Sequence, residues 1–189
     1  MLNSPVWRGL PVSAFGLGLV VGALVSATVV LTAGSLVRVL APDWVWVWVV
    51  VAWFAVVAVR EFGWLHIVLP QNARLVPQTV FRHGRFFGPF QFGLEMGTGV
   101  RTYVTSGLPY VLVPVIAFLA SWPAAVCVGV GFGLGRLLMT AANLRFGNDG
   151  QWDDVFARHQ RTISVLLVAG FAVSLAAVVA SLPGHPLGT

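Results

Sequence analysis

Charged and hydroxyl side chains interrupt an otherwise apolar part of this chain between residues 86 and 110. Glu95 and Arg101 lie there, with long apolar segments on both sides, at what we expect to be membrane depth. A charged side chain at the centre of a bilayer costs roughly 2.5–3.5 kcal/mol on insertion scales, so such residues usually face a bundle interior or a water-filled cavity. This stretch is therefore the first candidate for a functional site.

Four polar residues of the stretch share one helical face, because they follow the i, i+4, i+7, i+11 spacing: Gln91, Glu95, Thr98 and Thr102. Glu95 and Arg101 are six positions apart, about 120° around an ideal helix, and so cannot pair directly. A break at Gly97–Gly99 would change that arrangement, since glycine permits such a turn. Two interpretations stay open, a kinked helix whose charges pair only for structure and a site that binds a ligand.

Residues 97–102, Gly-Thr-Gly-Val-Arg-Thr, have the glycines and the arginine of an anion-binding loop but lack the GxGxxG or P-loop spacing. Arg136 shares one side of a later helix with Thr140 and Asn143, and snorkelling to the interface would explain it equally well. The predicted residues for binding a solute or an ion are Gln91, Glu95, Thr98, Gly99, Arg101, Thr102 and Arg136.

Composition excludes an ordinary soluble domain, because 58% of the residues are hydrophobic and only 9% are charged. The formal net charge of +5 comes from arginine, since the chain contains no lysine. Spread over loops between apolar segments, this charge indicates membrane topology and contact with lipid headgroups, and no nucleic-acid partner is predicted.

No metal site, cofactor or catalytic residue is predicted. The four histidines are scattered without an i, i+4 pair or an HExxH motif. Cys127 is the only cysteine, so no disulfide or thiolate metal site can form within one chain. Serines such as Ser106 have no evident base partner, and the chain is not interpreted as an enzyme.

Six hydrophobic segments must position these residues, and we predict an all-α polytopic membrane bundle that forms one domain over residues 1–189. In the first segment Gly18, Gly22 and Ser26 are spaced four apart, and such a small-residue face predicts the close approach of another helix. The alternation of Trp and Val at 44–48 would suit a strand, but a lone strand in lipid leaves its backbone unpaired, so we predict a helix. An interfacial helix at about 151–160 and a mobile tail at 183–189 complete the chain. The predicted segments are 12–39, 44–62, 86–106, 108–121, 124–142 and 162–182.

The number of spans depends on residues 86–121, which are 36 residues long, whereas two full crossings need about 40. Six spans result if both halves cross, and five if 86–106 is broken or re-entrant. The distribution of arginine favours the broken or re-entrant form. It also places the loop at 65–85 and the N-terminus in the cytoplasm, and arginine as the main basic residue suits a bacterial inner membrane.

The sequence FGLEMGTGVRTYVTSGLPY, followed by GVGFGLGRLL, resembles the transmembrane domain of cytochrome c biogenesis and thiol-disulfide transporters of the CcdA/DsbD type. The resemblance covers about residues 86–142 and implies six segments with broken helices near the membrane centre. Proteins of that family carry electrons on a pair of intramembrane cysteines. This chain lacks the pair, so redox chemistry is not implied and no catalytic residue is transferred.

The favoured hypothesis is transport of a small solute, an anionic one included, or of an ion through a polar site at the broken helix. The alternative is a non-catalytic subunit or assembly factor of a larger membrane complex. Expected partners are the lipid bilayer and either other membrane subunits or further copies of the chain. Transport predicts a solvent-reachable polar cavity at Glu95, whereas a structural subunit predicts a sealed charge pair and an exposed packing face.

Overall fold

A computed structural model describes four parts of the chain, residues 9–67, 84–99, 106–146 and 151–181. These parts contain six α-helices and no β-strand, which confirms the all-α prediction. The helices are α1 (Leu10–Arg38), α2 (Asp43–Glu61), α3 (Gly84–Gly97), α4 (Pro109–Phe118), α5 (Trp122–Phe146) and α6 (Gln151–Ala180). Most of the predicted cytoplasmic loop, at 68–83, and the predicted tail at 183–189 lie outside the described residues.

Four of the helices are long and apolar enough to cross a membrane: Leu10–Arg38, Asp43–Glu61, Trp122–Ala142 and Ala157–Ala180. Helix α4 is also apolar but has only ten residues. Large apolar side chains cover much of the outer surface, with Leu138 and Val173 70% and 71% exposed. Such a surface is expected of a protein surrounded by lipid, and the helices are compatible with a membrane protein.

Prolines mark the starts of three helices. Pro11 lies in the first turn of α1, Pro42 caps the start of α2, and Pro109 begins α4. Proline is tolerated at these positions because the N–H that it lacks would have no helical partner there. The Trp and Val residues at 44–48 form the start of α2, so the helix predicted for this alternating pattern is present.

The last helix differs from the prediction. The interfacial helix expected at about 151–160 and the apolar segment at 162–182 form one continuous helix, α6. An amphipathic pattern does not end a helix by itself, and the sequence has no glycine or proline between 151 and 169 to interrupt it. Helix α5 is likewise longer than the predicted segment 124–142.

Helix α1 is the centre of the fold, and α3 and α4 pack on it one after the other. Both run parallel to α1, because residues further along each helix contact residues further along α1. The contacts follow in order as Phe15 with Phe92, Ser26 with Thr98, and Gly34 with Ala117. Helices α3 and α4 therefore continue one direction along α1, with an interruption between them.

The interruption begins at the predicted glycine break. Helix α3 ends at Gly97, and Gly99 has a φ of +74°, a conformation that glycine adopts without strain. Within the segment predicted as 86–106, the helix ends at Gly97, and residues 100–105 lie outside the described residues. On α1 the break lies beside Gly22 and Ser26, which are twelve positions from Leu10 and from Arg38 respectively. It is thus level with the middle of α1.

Glycines bring α1 and α3 into backbone contact. A Cβ at Gly18 or Gly22 would overlap the Phe90 or Leu94 carbonyl oxygen, and a Cβ at Gly97 would overlap that of Leu19. Spacing of small residues by four allows such close approach. The small-residue face predicted for α1 at Gly18, Gly22 and Ser26 is confirmed, and its partner is α3.

The other helices enclose this pair. Helix α5 runs antiparallel to α1, since Gly133 lies beside Val20 and Gly129 lies beside Leu24. Helix α2 runs antiparallel to α4, and their contacts are Trp46 stacked on Phe118, the Trp53 indole bound to the Tyr110 carbonyl, and Glu61 bound to Gly107. Helix α6 packs Val168 and Phe171 against the buried cluster of Val57, Leu108 and Val111.

Candidate functional site

The end of α3 forms one side of the break, and four of its last carbonyls accept hydrogen bonds. The Thr98 N–H donates to the Leu94 carbonyl at 3.0 Å, and the Gly99 N–H donates to Met96 at 3.3 Å. The Thr98 hydroxyl donates to the Glu95 carbonyl at 2.8 Å. From α1, the Ser26 hydroxyl donates to the Thr98 carbonyl at 2.9 Å. These bonds satisfy the carbonyls of residues 94, 95, 96 and 98, which have few or no helical partners at a helix end.

The start of α4 forms the other side of the break, and a carboxylate occupies it. Glu61, the last residue of α2, accepts a hydrogen bond from the Gly107 N–H at 2.8 Å and one from the Ser106 hydroxyl at 3.2 Å through Oε2. The Ser106 oxygen in turn accepts from the Leu108 N–H at 3.2 Å. A carboxylate is favourable here because the helix dipole and the unpaired N–H groups make a helix start positive.

An arginine occupies the opposite end of α4. Arg38 donates from Nε to the Ala117 carbonyl at 2.7 Å and from Nη2 to the carbonyls of Ile116 and Ala120 at 3.0 and 2.8 Å. The last carbonyls of a helix have no helical partner and carry its negative end, so a cation there is stabilising. The ten-residue α4 is thus held at both ends by side chains of opposite charge from α1 and α2.

Arg38 and Glu61 were absent from the residues predicted to form the site. Each lies at the end of a predicted segment, where a charged residue is expected to face water, so the sequence offered no reason to place it against α4. Arg38 and Ala117 are 79 residues apart in the sequence, and Glu61 and Gly107 are 46 residues apart. One available signal was that a short apolar helix at membrane depth needs partners for both of its ends.

A cavity of about 200 Å³ lies at the break, between α1, α4, α5 and the end of α3. Ser26, Thr98 and Tyr110 supply the polar side chains among its described lining residues. The remaining described lining residues are apolar or glycine: Ala23, Ala27, Val30, Gly97, Gly99, Pro109, Leu112, Val113, Ile116, Val128, Gly129 and Phe132. Within the described residues the cavity is therefore an apolar space with a few hydroxyl groups.

The structure places the predicted site residues in two different surroundings. Thr98 and Gly99 line the cavity at the break. Glu95 is two positions from both Gly93 and Gly97, about 200° around the helix from each, so it lies on the side of α3 that faces away from α1. The Gln91 amide donates to the Glu95 carboxylate at 3.3 Å, which agrees with their predicted common face.

Gln91 also lines a second space, an open groove of about 410 Å³ on the outer side of α3, together with Phe87, Phe90 and Leu94. Glu95 is half-buried and is not among the described lining residues of either space. The polar face of α3 and the cavity at the break are therefore separate features within the described parts of the chain.

Arg136 lies on α5, with its guanidinium 5.8 Å from the centre of the Phe132 ring, in cation–π range. The Thr140 hydroxyl donates to the Arg136 carbonyl at 3.0 Å. Phe132 lines the cavity at the break, so Arg136 adjoins that cavity through its ring contact. Arg101 and Thr102, the two other predicted site residues, lie outside the described residues.

No group of three His, Cys, Asp or Glu side chains that could hold a metal ion occurs in the described parts of the chain. Cys127 is exposed on α5. Comparison of the sequence with protein-family models and with curated proteins, and of the fold with solved structures, finds no match.

Proposed function

We propose that the chain is a multi-pass protein of a bacterial inner membrane that transports a small solute or an ion, which binds at the break between α3 and α4. The observation that carries the proposal is a cavity at a discontinuous helix, level with the middle of α1. Discontinuous helices near the bilayer midplane form the binding sites of many secondary transporters. Non-helical backbone at that depth is tolerated only where protein or a water-filled cavity covers it.

The proposal includes a count of five spans, with α3 and α4 as one discontinuous span. The parallel course of both helices along α1 supports this count, because neither a return to the starting side nor a second full crossing would keep the direction. The loop between α2 and α3, which contains Arg74 and Arg82, is then on the side of the N-terminus. The junction of α5 and α6 lies on the same side, and the helix ends beside it carry Arg145, Arg158 and Arg161.

Arg38 then lies on the opposite side from the cytoplasmic arginines. Its bonds to two α4 carbonyls, of Ile116 and Ala117, and to the Ala120 carbonyl just after α4 account for this position. The discontinuous span is also what the resemblance to CcdA/DsbD-type transporters implies. We propose that likeness for architecture alone, since the chain has one cysteine.

Cysteine labelling tests the span count on a Cys127→Ser background. With five spans, Asn3→Cys and Gln78→Cys are labelled from the cytoplasm and Ser181→Cys is labelled from the opposite side. Six spans would put Ser181 on the same side as Asn3. Periplasmic labelling of Gln78→Cys would contradict the proposed orientation.

Transport itself is tested in liposomes that contain the purified protein. Their swelling in osmotic gradients of small neutral and anionic solutes is compared with that of protein-free liposomes, and we expect faster swelling for at least one solute. Val30→Phe should abolish this increase in the swelling rate, because Val30 lines the cavity and the larger ring would fill it. Val29→Phe is the matched control, since Val29 is the adjacent residue, is 61% exposed and is not among the described lining residues.

A non-catalytic subunit of a larger complex is the second candidate, and α5 supports it. A Cβ added at Gly131 or Gly135 would meet nothing within 4 Å, whereas Gly129 and Gly133 of the same helix pack on α1. Such an uncovered small-residue face suits a further helix. If Gly131→Leu abolishes function in cells while Val30→Phe does not, the subunit proposal is favoured over transport.

A further inference from the structure

The chemical character of the cavity at the break narrows the class of molecule that could occupy it. This inference rests on the transport proposal, because it concerns the ligand of the same site. The polar groups around the cavity already form hydrogen bonds within the protein. Only the donors and acceptors that these bonds do not use can bind a ligand.

The helix start at the break is not available to an anion. The N-terminus of a half-helix is the usual place for an anionic group in a discontinuous-helix site, through its free N–H groups and its dipole. At α4 the Glu61 carboxylate already accepts from the Gly107 N–H and the Ser106 hydroxyl. An anionic solute would have to displace Glu61 or lie beside a second negative charge.

The cavity wall offers no countercharge in its described part. Its described lining residues include no charged side chain, and twelve of the fifteen are apolar residues or glycines. An ion there would lose its hydration without a direct partner among these fifteen residues, and this is unfavourable for either sign of charge. Within the described part of the chain, Arg136 adjoins the cavity only through the Phe132 ring. Apolar cavities of comparable size, about 150 Å³, hold molecules such as benzene.

Ser26 on the α1 side and Thr98 on the α3 side are two of the three polar side chains in the described lining, and Tyr110 is the third. The Ser26 hydroxyl gives its proton to the Thr98 carbonyl, and the Thr98 hydroxyl gives its proton to the Glu95 carbonyl. A hydroxyl whose proton is used keeps only its oxygen lone pairs for another partner. What Ser26 and Thr98 present to the cavity is therefore hydrogen-bond acceptors.

We propose that the cavity at the break binds a small, uncharged, mainly apolar molecule that carries a hydroxyl or N–H donor. The apolar part of the molecule occupies the space between α1, α4 and α5. Its donor group bonds to the oxygen of Ser26 or Thr98. The anionic solute considered from the sequence is replaced in this proposal by a neutral donor.

The test uses cysteine protection on the full-length chain in liposomes, with Cys127 replaced by serine. Val128→Cys places a thiol in the cavity wall on the α5 side, and Val113→Cys places a second one on the α4 side in case the first is unreactive or unstable. Gly135→Cys is the control thiol, because its Cβ faces open space on α5. The rate of alkylation by N-ethylmaleimide is measured with and without each of four probes of similar shape.

The four probes are benzyl alcohol, benzyl methyl ether, benzoate and benzylammonium, which differ in donor capacity and in charge. At a concentration ten times its dissociation constant, benzyl alcohol should slow alkylation in the cavity about tenfold and leave Gly135→Cys unchanged. The ether, which lacks the donor, should bind about threefold to tenfold more weakly. The two ions should give no protection, and Val30→Phe should abolish protection by the alcohol.

Equal or stronger protection by benzoate or benzylammonium would overturn the proposal in favour of an ion site. Protection by the ether equal to that by the alcohol would refute the donor requirement. Lack of protection by any probe at both cavity thiols would show that the cavity takes no such ligand. Protection without liposome swelling would support the proposed ligand class and contradict transport. The ligand proposal and the transport proposal can therefore be refuted separately.

Discussion

The close backbone packing between α1 and α3 predicts a large effect from adding a single methyl group. Gly22→Ala would place a Cβ over the Leu94 carbonyl oxygen and 2.9 Å from the Thr98 nitrogen. Both obstacles are backbone atoms, so no side-chain rotation relieves the overlap. The two helices must separate by about 1 Å to reach an ordinary carbon–oxygen contact of about 3.3 Å.

The magnitude follows from three terms. Overpacking of this kind costs about 1–3 kcal/mol. Separation of the helices also weakens the bond from Ser26 to the Thr98 carbonyl, worth about 1 kcal/mol. Alanine recovers about 0.5–1 kcal/mol because it is a better helix former than glycine. We therefore expect a net loss of about 1–3 kcal/mol of unfolding free energy.

The measurement is reversible unfolding of the purified protein in mixed micelles, together with its abundance in membranes. Gly135→Ala is the matched control: it makes the same substitution in α5, where a Cβ meets nothing within 4 Å. The control should be neutral or stabilising by up to about 1 kcal/mol, since only the helix-propensity term remains. Because Ser26 and Thr98 line the cavity, Gly22→Ala should also change solute flux in liposomes.

Equal stability of Gly22→Ala and the parent would refute the reasoning, because it would mean that α3 does not pack on α1 through its backbone. The same conclusion would follow if Gly135→Ala destabilised the protein as much as Gly22→Ala.

Three further predictions address the charged residues Arg38, Glu61 and Glu95. Arg38→Gln should lower the unfolding free energy by about 2–3 kcal/mol, because three carbonyls at the end of α4 lose a charged donor. Arg60→Gln is its control, since the exposed Arg60 bonds only to the Ile67 carbonyl among the described residues and should change stability by less than about 1 kcal/mol. Glu61→Ala should lower the unfolding free energy by about 2–3 kcal/mol, because α4 loses its cap. Glu61→Gln still accepts from the Gly107 N–H and should lower it by about half as much. Equal losses for the two variants would contradict the capping role. Glu95→Gln should reach normal membrane abundance with reduced function if Glu95 serves a solute or proton path, whereas failure to accumulate would indicate a structural charge pair. Normal abundance together with normal function would exclude both roles for Glu95.

Some features of the fold could be predicted from local sequence. Apolar length predicted the helical segments, because it is a property of residues that are neighbours in the chain. The glycines at 97 and 99 predicted the break, and Gly18, Gly22 and Ser26 predicted a close helix contact on α1. The continuity of α6 was not predicted. The amphipathic pattern at about 151–160 favours a separate interfacial helix, but no glycine or proline between 151 and 169 interrupts the helix.

Other features depended on the tertiary structure. A small-residue face indicates close approach but not which helix approaches or in which direction, so the parallel course of α3 and α4 along α1 was open until their contacts were known. Glu95 carried the strongest chemical signal in the sequence, yet it lies on the side of α3 away from α1 and is not among the described lining residues of the cavity at the break.

The sequence by itself determined the apolar helical segments, the glycine break and the face of α1 that allows close packing, because each arises from neighbours in the chain. Only the tertiary structure decided that Arg38 and Glu61 hold the two ends of α4. A short helix in an apolar surrounding must satisfy its terminal N–H and carbonyl groups, but any helix that reaches them can supply the charge. Which one does so is set by the packing of α1 and α2 around α4.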